Sequence, residues 1–271
     1  MLFFEVVFIV FLLYRGKSLY RKVKYLITRD HYDLYGIEHR YRIRELELET
    51  FLENNFVYFQ PLSNKARRKF IARVWSVYKR IEFVGYQELK LTDEIMISVI
   101  FAQVQLTFHL NSFYFDCFRR YILYPETFYS RFLDHDLKGL TTRNGFITFS
   151  WADFKHGYDV THDKFNLGLH EMAHAFRIYK DLQQNTYNRT DFYMDVFDRE
   201  AYDEIFLMQR DIPSVLRDYA KTNEEEFFAV CVEYFFEAPE LLNAELPKIF
   251  KTMTKIFNQD PRNRMNDYVL E

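Results

Sequence analysis

Cysteine is nearly absent from this chain: 2 in 271 residues, Cys117 and Cys231, with no C-x-x-C pair. That argues against a disulfide framework and against a cysteine zinc site, and it suits a reducing compartment. Glycine (7) and proline (6) are also scarce, and no low-complexity linker or internal repeat divides the chain. An excess of positive charge is missing too. The net charge of -3 gives no general argument for direct nucleic-acid binding. What is present is 49% hydrophobic residues, with 30 Phe and 21 Tyr, ample for one sizeable core.

An apolar run long enough to span a bilayer is lacking as well. Residues 2–14 are apolar apart from Glu5, and Arg15, Lys17, Arg21, Lys22 and Lys24 follow. As a helix this run reaches about 20 Å, against a hydrocarbon core of about 30 Å. No basic segment precedes it and no small-residue cleavage site follows, which reads poorly as a cleaved signal peptide. We read residues 1–25 as a short anchor with a basic flank on the cytoplasmic side, residues 2–14 making the membrane contact. Residues 26–271 then form one cytoplasmic domain tethered to the inner face of the membrane. The other reading of the run is a packing helix at the start of the domain.

Residues 43–54 read as a charged helix, and residues 58–62 as an extended stretch holding Pro61. Ser63 opens a helix through residue 80, with Phe70, Val74, Val77 and Tyr78 on its apolar side. Thr92-Asp93-Glu94 opens another over residues 95–110, apolar nearly all round and therefore central. Residues 119–124 read as a strand closed by Pro125, Asn144-Gly145 as a turn, and residues 146–151 as a β-rich run. Residues 191–210 read as loop, then helix. Thr222, with Glu225 at the capping-box position, opens the last strong helix, and Ala238-Pro239 closes it. The sum is an α+β domain, mostly helical with a small sheet.

Five residues stand apart: His170-Glu171-Met172-Ala173-His174 spell H-E-x-x-H. Chance yields the pattern on the order of 0.02 times in a chain of this composition. On a helix, positions i and i+4 share a face, so both imidazoles can hold one metal ion. Glu171 is then placed to take a proton from a water at that ion. The bland alternative is an amphipathic helix with two solvated histidines. Asn166 can cap this helix, and no proline interrupts residues 167–180. Leu169, Met172, Ala173, Phe176 and Tyr179 form its apolar side, while His170, His174 and Arg177 lie on another stripe.

Catalytic zinc sites use three protein ligands and keep one position open. A metzincin continuation needs Gly and His three and six residues past the second ligand, where this chain has Arg177 and Lys180. Downstream carboxylates remain: Glu200 and Glu204 at one spacing, and Glu224, Glu225 and Glu226 further on. Spacing alone leaves the choice open.

The segment at 219–230, Tyr-Ala-Lys-Thr-Asn-Glu-Glu-Glu-Phe-Phe-Ala-Val, resembles the third-ligand helix of two related groups. One is the Mlc titration factor A (MtfA) peptidases; the other is the anthrax lethal factor catalytic domain. Leu91-Thr92-Asp93-Glu94 with Ala102-Gln103 is similar to the MtfA central helix, and Tyr121 to Pro125 with Glu126 and Phe128 to its "VLVYPxxF"-like strand. Phe149-Ser150-Trp151 stands where the family has Leu-Ser-Trp. The resemblance runs from about Phe59 to Glu240.

The resemblance implies a zincin-like metallopeptidase fold of the gluzincin type, its small sheet beside the H-E-x-x-H helix. It implies one Zn2+ per chain, held by His170, His174 and Glu226, with Tyr219 facing the site. Peptide or protein substrates would be hydrolysed with Glu171 as general base and Tyr219 donating to the oxyanion, aminopeptidase action included. Substrate is expected to pair with an edge strand, for which residues 146–150 are the candidate. Glu233 shares the face of Glu226 and reads either as partner to a metal-bound histidine or as a solvated or salt-bridged carboxylate. The family is also associated with binding a glucose-responsive transcriptional repressor. A regulatory protein that sequesters such a partner, with little peptidase activity, is therefore the rival expectation.

Overall fold

The computed structural model describes residues 42–131, 133–183 and 187–270. The expected anchor, residues 1–25, and the start of the expected domain lie outside the described residues. Two helices come first, α1 (Arg42–Asn55) and α2 (Asn64–Tyr78), and Ser63 caps α2 by accepting the Ala66 N–H. Between them the stretch expected to be extended is a run of turns. The Phe59 N–H donates to the Phe56 carbonyl and the Leu62 N–H to the Phe59 carbonyl. Packing explains the correction: Phe56, Phe59 and Leu62 are all buried. Apolar residues three apart face one side when the chain coils, whereas a strand would turn the middle one outward.

Strand β1 (Glu82–Gly85) leads into α3 (Asp93–Thr107), where Thr92 accepts the Ile95 N–H as the cap. From Ile97 to Thr107 every residue of α3 is buried, as an all-round apolar helix requires. Its Gln103 is satisfied inside the core: Tyr121 donates to Oε1, and Nε2 donates to the Phe113 carbonyl. That contact fastens α3 to β2 (Arg120–Tyr124).

Strands β3 (Phe128–Ser130) and β4 (His135–Leu137) form a separate antiparallel pair. Strands β5 (Gly139–Thr142) and β6 (Phe146–Ser150) complete a four-stranded sheet in the order β1-β2-β6-β5. The first three pair in parallel, and β5 runs antiparallel to β6. The turn between them holds Gly145 at φ 88, a left-handed conformation that favours glycine. This order overturns the expected edge strand. Because β6 pairs with β2 on one side and β5 on the other, it has no free edge; among the described residues β5 does.

Helix α4 (Trp151–Asp159) is followed by α5 (Leu167–Leu182), which carries the H-E-x-x-H residues. α6 (Arg189–Met208) is helical throughout where a leading loop was expected, because Asn188 and Asp191 cap it reciprocally. A short 3-10 turn (Asp218–Lys221) precedes α7 (Glu224–Glu237). Asn223, not Thr222, caps α7. Its Oδ1 accepts the Glu226 N–H, while the Thr222 hydroxyl donates back to the Tyr219 carbonyl. Nor is α7 the last helix: Pro239 and Pro247 open α8 (Pro239–Glu245) and α9 (Pro247–Phe257), using proline's tolerance for a first helical turn.

α5 packs on α3, α7 and the β5–β6 edge of the sheet, so the metal-type helix lies between the core and an open strand. The architecture is a mostly helical α+β fold with a small mixed sheet. Among the described residues no helix is long and apolar enough to cross a membrane.

Candidate metal centre

Packing sets the roll of α5. Leu169, Met172, Ala173 and Phe176 are buried, and each large apolar side chain removed from water contributes about 1.5–3 kcal/mol. Asn166 fixes the start of the helix by accepting the Leu169 N–H at 3.0 Å. With that face held, His170 and His174 turn toward the start of α7. There Phe227 and Phe228 are fully buried and hold Glu226 in the first turn.

The result is a tight convergence. His170 Nε2 lies 3.1 Å from His174 Nε2 and 3.1 Å from Glu226 Oε2. His174 Nε2 is 3.4 Å from the same oxygen. Metal–ligand bonds of about 2.0–2.1 Å in a tetrahedral arrangement separate ligand atoms by about 3.4 Å. The two imidazoles and one carboxylate therefore fit a single zinc-sized ion. Glu200 and Glu204, the other spacing candidates, are engaged elsewhere, accepting from Thr252 and Ser214.

Behind the triad, His170 Nδ1–H donates to Glu233 Oε1 at 2.7 Å, which turns its Nε2 lone pair toward the convergence point. Glu233 is 2% exposed. It is not solvated: it partners His170 and is also salt-bridged to Arg217. Burial alone would depress His170, but the hydrogen bonds to Glu226 and Glu233 reverse this and lift it to about 10. Burial likewise works to raise Glu226, yet His170 and His174 hold it well below the usual carboxylate range. The local field favours a cation between these three groups.

Glu171 is buried at 5% exposure and accepts from the Thr141 hydroxyl at 2.7 Å. Burial pushes its carboxyl up, with His174, His170 and the Thr141 bond opposing. Tyr219 is half exposed, its ring centroid 6.0 Å from that of His170. Burial, then the charge and hydrogen bond of Glu226, push its phenol up to about 12.

The glucose-regulated metallopeptidase M90 family matches residues 37–258 of the chain. The chain belongs to the M90 family. Mlc titration factor A of Pectobacterium atrosepticum is 27% identical over 228 residues, covering 77% of this chain and 84% of that protein. Its namesake in Yersinia pestis (strain Pestoides F) is 25% identical over 231 residues, covering 78% and 84%. M90 membership makes this a metallopeptidase-family chain and the His170, His174 and Glu226 cluster its candidate metal site.

Three residues at this M90 site escaped the sequence reading. Gly139 and Thr141 alternate on β5 and both approach Glu171; a glycine within a strand was the available signal, since it often marks a close approach. Arg217 contacts Glu233 from outside any motif, and no pattern in the sequence points to it.

Proposed function

We propose that this M90 chain is a zinc-dependent peptidase. In this reading His170, His174 and Glu226 hold one Zn2+, Glu171 is the general base and Tyr219 the oxyanion donor. The observation that carries it is the convergence of three ligand-type atoms on one face of α5 with a buried carboxylate beside them. When bound, zinc supplies Lewis acidity that lowers the pKa of water to about 7 and polarises a carbonyl.

The chain's own groups do the rest. Glu171 takes the proton of the attacking water and passes it to the leaving amine. A phenol at about 12 stays protonated, so Tyr219 can donate to the developing oxyanion. The free edge of β5 can take an extended peptide through backbone hydrogen bonds, which makes side-chain selectivity weak. Amino-terminal trimming is the narrower form of this proposal. So is the arrangement of residues 26–271 as the catalytic domain, tethered at the inner face of the cytoplasmic membrane by residues 1–25.

A second reading rests on the relatives' name, which describes a factor that titrates Mlc. A regulatory protein partner of that kind would bind this chain with little need for turnover. The two readings separate when the zinc-loaded full chain meets a mixed peptide library and the products are read by mass spectrometry. Cleavage supports the peptidase, and the cut positions tell trimming from internal cleavage. A zinc-loaded chain that cuts nothing contradicts it and favours partner binding.

A further inference from the structure

Arg217 stands just before the 3-10 turn that carries Tyr219, and its side chain reaches back into the interior. One guanidinium nitrogen donates to Glu233 Oε1; the other lies 3.3 Å from Oε2 and also donates to the Lys164 carbonyl. The guanidinium carbon sits 4.5 Å from the Phe165 ring centroid. Glu233 receives two further donors, the His170 Nδ1–H and the Asn166 N–H, each at 2.7 Å. Both oxygens of a carboxylate that is 2% exposed are thus doubly bonded by donors.

Charge shows which of these donors matters most. A buried carboxylate is costly without a cation beside it. His170 cannot be that cation while its Nε2 holds a metal, because an imidazole ligand is neutral. The backbone amide of Asn166 carries no net charge. Glu237, the other acid near Glu233, has no positive charge to offer. Among the described residues, the positive side chain in contact with Glu233 is Arg217.

We propose that Arg217 is a positioning residue for the metal centre. By anchoring Glu233 through its two-pronged contact, it fixes the ring of His170 and the donor direction of Nε2. The same anchor holds the turn of Tyr219 against the site. This inference rests on the reading of His170, His174 and Glu226 as zinc ligands, and it concerns a residue that touches neither the ion nor substrate.

The test uses the full chain and zinc itself. Zinc affinity is measured by competition with a chromogenic chelator, and the geometry at His170 by the visible absorption of the cobalt-loaded protein. Arg217→Met is expected to weaken zinc binding ten- to a hundredfold, the range for losing such outer support, and to alter the cobalt spectrum. Arg217→Met combined with Glu233→Gln should bind no more weakly than Glu233→Gln alone, because the arginine acts through that carboxylate. Wild-type affinity and spectrum in Arg217→Met overturn the proposal, as do fully additive losses in the double variant. Should Arg217→Met not fold, Arg217→Lys carries the test. It keeps the charge but cannot bridge both oxygens, and a three- to tenfold loss is expected; wild-type values overturn the proposal. A wild-type chain that binds no zinc, or a Glu226→Ala variant that binds it normally, refutes the metal-site reading itself. Arg217 variants that behave normally beside a weakened Glu226→Ala refute this inference alone.

Discussion

A Cβ placed on Gly139 would stand 2.2 Å from Oε1 of Glu171, and 2.6 and 2.7 Å from its Cδ and Cγ. Strand β5 and the acid of α5 therefore share one space. Three consecutive side-chain atoms are in the way, so the whole carboxyl must shift if that Cβ is added. Gly139→Ala is predicted to cut peptidase turnover by about 10–100-fold through misplacement of the base, with zinc content unchanged. Steady-state kinetics beside a metal assay checks this; unchanged kcat would show that the fit is not needed.

Tyr219→Phe removes the donor and keeps the ring. Loss of one oxyanion donor costs about 10²–10³ in kcat, so a fall of that order is expected while zinc stays bound. An unaffected rate would return Tyr219 to a packing role beside His170.

Glu226→Ala removes one corner of the triad. Zinc occupancy, read by mass spectrometry of the metal after dialysis, should fall at least tenfold. Unchanged occupancy would place the third ligand elsewhere.

Glu237 gives a prediction about pH that is independent of turnover. Burial, with Asp163 and Glu233 nearby, pushes its carboxyl up to about 8 despite the Asn166 and Lys164 hydrogen bonds. The folded chain therefore holds this proton more tightly than the unfolded chain, where the group titrates near 4.5. Its contribution is full below about 4.5 and is lost as pH rises through about 8. Glu237→Gln should flatten the decline of the unfolding midpoint across that window relative to wild type. Parallel curves would contradict the assignment.

Much of this was legible in the sequence because the signals were local. The H-E-x-x-H helix, its Asn166 cap and its apolar face follow from spacing, and α3 announces its central place by being apolar all round. Glu226 came from the resemblance of residues 219–230 to the family's third-ligand helix, and the Phe227 and Phe228 rings that follow it are fully buried. What the sequence hid depends on pairing between distant segments. Residues 146–150 looked like an edge because nothing local shows that β2 pairs with them from one side and β5 from the other. The coil at Phe56, Phe59 and Leu62 was missed because Pro61 suggested extension, and the switch of cap from Thr222 to Asn223 was a choice between adjacent good caps. Arg217 has no periodicity at all; only the fold brings it to Glu233.

The most direct test of the whole account is Glu171→Gln beside the parent chain, both with zinc counted, on one peptide library. The change keeps shape and hydrogen bonding but removes the base, and general-base catalysis is worth about 10²–10⁴ in rate. The account predicts one zinc per chain in both proteins and cleavage by the parent alone. Equal cleavage by Glu171→Gln, or a zinc-loaded parent that leaves every peptide intact, would contradict it.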